Sequence, residues 1–62
     1  MVAIAMWYCV LFYDGGRQER FDSDNHYLLM LFARSMTRAK MCFTAIVFDE
    51  NDGVRFSFFS DD

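Results

Sequence analysis

An uncharged apolar run, VAIAMWYCVLFY at positions 2–13, is the feature that most restricts how this chain of 62 residues folds. As a helix the run is too short to cross a bilayer, which takes about 20 apolar residues. No basic segment precedes it and no small-residue cleavage site follows it, so we expect neither a secretory signal nor a membrane span. We therefore expect a cytoplasmic protein that buries this run in its core.

Turn signals divide the chain into two hairpins and a helix. The β-branched and aromatic content of the opening run predicts a strand, and Asp14, Gly15 and Gly16 predict a hairpin turn after it. Polar residues 17–21 then predict a short return strand at a sheet edge. Residues 41–48 and 54–59, which flank the DENDG turn at 49–53, predict a second hairpin.

Residues 24–39, between the hairpins, have the composition of a helix. Asp22, Ser23 and Asp24 supply N-cap oxygens, and basic residues follow at the other end. At 100° per residue the side predicted to pack on the sheet holds Leu28, Leu29, Phe32, Met36 and Ala39, and the outward side holds Tyr27, Met30, Arg34 and Arg38. No linker or repeat interrupts the chain, so residues 1–62 are predicted to form a single domain of the α+β class. Its predicted architecture is ββαββ, with one helix packed on one face of a small, mostly antiparallel sheet.

One helix covers only one face of such a sheet, yet the first strand is apolar on both sides. Alternation directs Phe43, Ala45, Val47, Val54, Phe56 and Phe58 towards the helix, and Cys42, Thr44, Ile46, Phe48 and Phe59 away from it. An apolar outer face usually marks an interface. We therefore predict a homodimer whose interface includes Trp7, Ile46, Phe48 and Phe59, or a permanent partner in the same place. The alternative is a central strand shielded by large side chains such as Trp7 and Tyr13.

Residues that could support catalysis or metal binding are few. His26 is the only histidine, and neither Cys9 nor Cys42 has a neighbouring cation or CxxC spacing that would activate a thiol. A zinc site takes about four ligands, and the DENDG segment lacks the spacing of a calcium loop. We expect no enzyme activity, no cofactor and no metal, with both thiols free.

The charge balance is acidic, with six Lys and Arg against nine Asp and Glu and a net charge of -3. This balance disfavours direct nucleic-acid binding. The ββαββ order brings five acidic residues to one end of the molecule: Asp22, Asp24, Asp49, Glu50 and Asp52. The functional hypothesis is an electrostatic surface for a basic protein partner, with Tyr27 and Met30 in the contact core. The alternative is that acidic residues stand there because turns and helix starts favour them locally.

The segments YCVLFYDGGRQERFDS, NHYLLMLFARSMTRA and FTAIVFDENDGVRFSF resemble, in layout, small bacterial ββαββ domains of unknown function. In size, acidity and lack of a catalytic motif the chain is also similar to small phage or mobile-element inhibitors of host nucleic-acid machinery, including anti-CRISPR proteins. The second resemblance implies a non-enzymatic inhibitor that occupies a basic nucleic-acid-binding surface of a host complex. The other hypothesis is a structural homodimer that serves as a subunit of a larger bacterial or phage assembly.

Overall fold

The computed structural model describes residues 5–61 and shows an α+β fold in the order ββαββ, which confirms the predicted fold class. Its elements are β1 (Trp7–Phe12), β2 (Gln18–Ser23), α1 (His26–Arg38), β3 (Thr44–Phe48) and β4 (Val54–Phe59). A short 3₁₀ turn over Asp14–Gly16 joins β1 to β2. The apolar run was predicted to be extended from residue 2, and its first three residues lie outside the described part.

The four strands form one antiparallel sheet in the order β2-β1-β3-β4, with α1 packed on one face. Strand β1 pairs with both β2 and β3, so it is central. A central strand is protected by neighbours on both edges, which explains why β1 carries no charge. Strand β2 lies at an edge, as predicted from its polar residues, where charges discourage pairing with other chains.

The first hairpin closes through a turn that requires glycine. Gly15 and Gly16 have φ of 78° and 79°, in the left-handed region that residues with a Cβ rarely adopt. The backbone N–H of Tyr13 donates to the carbonyl of Arg17 at 2.8 Å on the strand side of the turn. The DGG motif is therefore part of a hairpin.

Helix α1 begins later than predicted, at His26, because its N-cap is Asn25. None of the three predicted capping residues at 22–24 has this role. Oδ1 of Asn25 accepts the backbone N–H of Leu28 at 3.1 Å. Ser23 instead fixes the approach to the helix, since its Oγ accepts the N–H of Asn25 at 3.0 Å. The helix ends at Arg38, one residue before the predicted end.

The helix is rotated about its axis relative to the prediction. The buried helical side chains are Leu29, Ala33 and Thr37, at a spacing of four, whereas Leu28 is 57% exposed and Phe32 is also exposed. The buried side of the helix packs against β1 and β3. The apolar core comprises Cys9, Leu11, Leu29, Ala33, Cys42, Ala45 and Val47. Thr37 fits this apolar setting because its hydroxyl donates to the carbonyl of Arg34 at 2.9 Å.

The predicted alternation holds in β3 and from Phe56 to Phe59 of β4, where Phe56 and Phe58 pair with the buried Val47 and Ala45, and it fails at residues 42, 43 and 54. Ala45 and Val47 are fully buried on the helix side. Cys42 is also buried and Phe43 is half exposed, the reverse of the prediction, because residues 41–43 form bends and only Thr44 starts the strand. Val54 pairs with Phe48 and is exposed, since a register shift between Val47 and Phe48 moves it to the other face.

Candidate protein-binding site

The sheet face opposite the helix is lined by apolar and aromatic side chains from three strands. Residues paired across strands share a face, and Tyr8, Val10 and Phe12 have the opposite parity in β1 to the buried Cys9 and Leu11. The residues of this uncovered face are Tyr8, Val10, Phe12, Thr44, Ile46, Phe48, Val54, Ser57 and Phe59, and Gln18, Arg20 and Asp22 of β2 pair along its edge. Within residues 5–61 no helix or further strand lies over it.

An aromatic stack crosses the uncovered face from β2 to β3. The rings of Tyr8 and Phe48 lie 4.8 Å apart between centroids and are nearly parallel, with an interplanar angle of 16°. The guanidinium of Arg20 lies over the Tyr8 ring at 3.8 Å from its centroid. A cation in this position is attracted by the negative face of the ring. The stack fixes flat apolar surface in place and shows that these rings accept an arginine.

Tyr8 also joins this face to the turn that follows β3. Its hydroxyl donates to Oδ1 of Asp52 at 2.6 Å. This hydrogen bond is the main reason that the pKa of Tyr8 lies above its ordinary value, because the carboxylate stabilises the protonated hydroxyl. The aromatic surface and the acidic turn therefore form one continuous structure.

The predicted acidic residues lie at one end of the sheet, where β2 and β3 end and β4 begins. Asp24 is exposed between β2 and α1, while Asp22 pairs in register with Tyr8. Asp49, Glu50 and Asp52 stand in the turn between β3 and β4. The expected grouping by topology is therefore present in the structure.

Most of these carboxylates also have internal partners. Asp22 accepts two hydrogen bonds from the guanidinium of Arg20, at 3.1 and 3.0 Å, and these lower the pKa of its carboxyl. Oδ1 of Asp49 accepts the backbone N–H groups of Asn51 and Gly53, at 2.9 and 2.8 Å, and they lower the pKa of Asp49. Such partners are the local roles that the alternative hypothesis requires. The lowered pKa values favour the ionised forms of Asp22 and Asp49, so their internal partners do not remove the negative charge of this end.

Trp7, predicted to share an interface with Ile46, Phe48 and Phe59, lies on the other side of the sheet. Its ring stacks on that of His26 at 3.9 Å between centroids, and its indole N–H donates to Glu50 at 2.7 Å. The cause is the register: Trp7 has the same parity in β1 as the buried Cys9. The other three predicted interface residues do share the uncovered face.

Tyr27 and Met30, the predicted contact core, lie on the helix side of the molecule. They border a cavity of about 150 Å³ together with Trp7, His26 and Phe56. Tyr27 is 66% exposed. The predicted partner-binding residues are thus divided: the acidic ones border the uncovered face, whereas Tyr27 and Met30 lie on the helix side and do not share that surface.

The uncovered face contains residues that the sequence analysis did not select, chiefly Tyr8, Val10 and Phe12. Alternation along β1 identifies them once Cys9 and Leu11 are known to be buried, because residues 8, 10 and 12 then point to the opposite face. An uncharged run does not by itself show which of its two faces meets the helix.

The described residues form no group of three or more His, Cys, Asp or Glu side chains placed to hold a metal ion. Cys9 and Cys42 are free and buried, and burial raises the pKa of Cys9 to about 11. A thiol with so high a pKa is a poor nucleophile at neutral pH. In residues 5–61 no helix has both the length and the apolar character needed to span a membrane.

Comparisons with protein families, with curated proteins and with solved structures find no match to this chain. The molecule is thus defined by its fold and surfaces: a small ββαββ protein with an apolar sheet face beside an acidic end. Its function has to be inferred from the geometry of the chain itself.

Proposed function

We propose that this protein is a non-enzymatic binding module that attaches to a basic surface of another protein. The binding surface is the uncovered sheet face together with the acidic end beside it. The observation that supports the proposal most directly is the hydrogen bond between Tyr8 and Asp52, because it joins the two in one structure. An apolar centre with a charged rim is the usual arrangement of a protein-binding site.

The charge of the site indicates the chemistry of the partner. The whole chain carries a net charge of -3, and five acidic residues lie at the end that borders the uncovered face. A negative patch speeds association with a positive one and disfavours acidic partners. The stacking of Arg20 on Tyr8 provides a model for how a partner's arginine would contact the aromatic rings of this face.

A nucleic-acid-binding groove is the kind of basic protein surface that combines arginines with apolar side chains. We infer that the protein acts as an inhibitor by occupying such a groove, as anti-CRISPR-like proteins of phages and mobile elements do. The same surface disfavours nucleic acid itself, because the phosphate backbone is repelled by the acidic end.

A homodimer that serves as a subunit of a larger assembly is the second candidate function. The observation in its favour is that Ile46, Phe48 and Phe59 share one uncovered apolar face. Two such faces can meet through a two-fold axis, since each presents the same surface to the other. This association is driven by apolar burial, so it does not depend on the acidic residues and weakens little with salt.

Partner capture followed by kinetics tests the first proposal. Immobilised wild-type protein captures a partner from a bacterial lysate, and mass spectrometry identifies it. Association is then measured over a range of salt concentrations for the wild type and for a charge variant, Asp49→Asn with Glu50→Gln and Asp52→Asn. We expect slower association and a flatter salt dependence for the variant, because charges at the rim of an interface act mainly on the association rate.

Two single variants locate the contact. Ile46→Lys places a charge on the uncovered face, whereas Leu28→Lys places one on an exposed part of the helix. We expect Ile46→Lys alone to abolish capture. The proposal would be contradicted if both variants captured the partner equally, or if the charge variant kept the wild-type kinetics. If the wild type associates with itself and only Ile46→Lys abolishes this, the assembly subunit is favoured.

A further inference from the structure

A groove lies between the second half of α1 and the last residues of β4, at the end of the molecule opposite the acidic one. Its volume is about 470 Å³. The residues that give this basic groove its chemistry are Arg34, Arg38, Lys40, Ser57 and Ser60, with Phe58, Phe59, Thr37 and Asp61 completing the lining. Among the residues that the structure describes, three cations therefore line the groove with one carboxylate, that of Asp61.

The cations of the basic groove have no acidic partner in the described part of the chain. The ion pairs within residues 5–61 are Arg20 with Asp22 and Arg55 with Asp49, both at the other end. Arg34 and Arg38 stand one helical turn apart, where like charges destabilise a helix. An anion bound between them would remove this repulsion.

Lys40 occupies a position where glycine is the usual residue. It follows the last turn of α1 with a φ of 57°, and its N–H donates to the carbonyl of Thr37 at 3.1 Å. The next residue, Met41, donates to Met36 at 2.9 Å, which completes a Schellman motif. A side chain at this position costs stability, and backbone strain of this kind concentrates at binding sites.

Favourable interaction with the helix dipole explains a cation in the last turn. The helix dipole does not explain why the residue in the left-handed conformation is a lysine, Lys40. It also does not explain why Arg34, one turn before Arg38, borders the same groove as two serines. A ligand that uses all of these groups accounts for them together.

We propose that the basic groove binds a small ligand that carries a phosphate group. Arginine presents a planar fork of donors that matches phosphate oxygens, and lysine adds a point charge. Ser60 can add a neutral donor, and Phe58, on the helix side of β4, offers an aromatic surface to the rest of the ligand. The volume falls within the range of small-molecule sites, about 300 to 1,000 Å³. This inference goes beyond the proposed protein-binding function, because the cations of the groove lie at the end opposite the acidic residues, although Ser57 and Phe59 border both the groove and the uncovered face.

Nuclear magnetic resonance titrations with inorganic phosphate, ribose 5-phosphate and adenosine 5′-monophosphate test the proposal. Sodium chloride keeps the ionic strength constant throughout. We expect saturable shifts of the backbone amides at 34–40 and 57–61. The double variant Arg34→Gln with Arg38→Gln should bind at least about tenfold more weakly, because it loses charge-assisted hydrogen bonds.

Two further variants separate binding from folding. Arg17→Gln is the matched control, because it removes a cation from the same end of the molecule but not from the groove. It should bind as the wild type does. Lys40→Gly should raise the melting temperature and still weaken phosphate binding, a combination that a purely structural role of Lys40 does not produce.

Three outcomes would overturn the assignment. The first is the absence of a saturable shift with all three probes. The second is equal binding by the wild type and the Arg34→Gln/Arg38→Gln variant. The third is binding of a single-stranded oligonucleotide when the three phosphate probes do not bind, which would identify the groove as a nucleic-acid contact instead.

Discussion

The side chain of Asp49 organises the turn between β3 and β4 by accepting backbone N–H groups from Asn51 and Gly53. A Cβ at position 53 would lie 3.1 Å from Oδ2 of Asp49, so any larger residue there would push this carboxylate out of place by a few tenths of an ångström. We expect Asp49→Ala to lower the free energy of unfolding, because it leaves two backbone donors of the turn without their acceptor. Asp49→Asn keeps an acceptor oxygen and should cost less. Urea unfolding of the three proteins measures the difference, and equal loss in both variants would contradict this explanation.

The same carboxylate makes stability depend on pH. Its pKa is lowered in the folded state, so folding favours the ionised form. The contribution is complete above the unfolded pKa of about 3.9 and is lost as the pH falls through the lower folded value. We expect the wild type to lose stability on acidification more steeply than Asp49→Asn. Parallel acid profiles of the two proteins, measured by circular dichroism, would show that Asp49 does not contribute.

Cys9 gives the opposite dependence on the alkaline side. Burial raises the pKa of its thiol to about 11, so folding favours the protonated form. Stability from this group is complete below the unfolded pKa of about 8.5 and declines as the pH rises towards 11. At neutral pH we expect slow labelling of Cys9 and Cys42 by a thiol reagent in the native protein and fast labelling in denaturant. Fast native labelling of either thiol would contradict their burial.

At the scale of elements, the end of α1 offers a direct test of strain. Lys40 has a φ of 57°, whereas Ala39 before it has an ordinary helical φ of -79°. Lys40→Gly should raise the free energy of unfolding by about 1 kcal/mol, because glycine adopts the left-handed conformation without the cost of a Cβ. Ala39→Gly is the matched control and should lower stability, since glycine there only adds freedom to the unfolded chain. Thermal unfolding of both variants measures the two signs, and destabilisation by Lys40→Gly would contradict the explanation.

The order and type of the elements could be predicted because local signals specify them. The Asp14-Gly15-Gly16 turn, the DENDG turn and the polar second strand each depend on residues that are close in sequence. The rotation of α1 could not be predicted, since residues 27–32 are all apolar and give the helix no clear polar side. Ala33 decides the rotation: its small side chain is fully buried against the sheet.

The candidate site was predictable only in part for a related reason. The acidic end follows from topology, so five acidic residues could be placed together from their positions between elements. The composition of the uncovered face depends first on the parity of β1, which puts Trp7 on the helix side. It depends second on the register shift beside Phe48, which moves Val54 away from the helix side. Both are set by pairing between distant segments, and the sequence of one strand does not contain that information.

The whole molecule is a charged, elongated unit, about 42 by 21 by 15 Å, with different surfaces at its two ends. Acidic residues and the Tyr8 stack lie at one end, and the basic groove lies at the other. The uncovered face joins them along the sheet. The two ends can be tested separately, because no residue substituted at one of them belongs to the other, and Ile46→Lys tests the uncovered face without touching the groove lining.

Self-association through the uncovered face is the prediction that concerns the molecule as a whole. The assembly-subunit hypothesis predicts that the wild type is a homodimer at micromolar concentration by light scattering, since apolar faces of this kind are stabilised by burial, whereas the binding-module proposal predicts a monomer with this face free. Ile46→Lys and Phe59→Lys should give monomers, because each places a charge in the centre or at the border of that face. Leu28→Lys, which adds the same charge to the exposed helix surface, should leave the dimer intact. Circular dichroism would confirm that all three variants remain folded. A monomeric wild type would show that the face serves a different protein, whereas dissociation by Leu28→Lys alone would place the self-association on the helix.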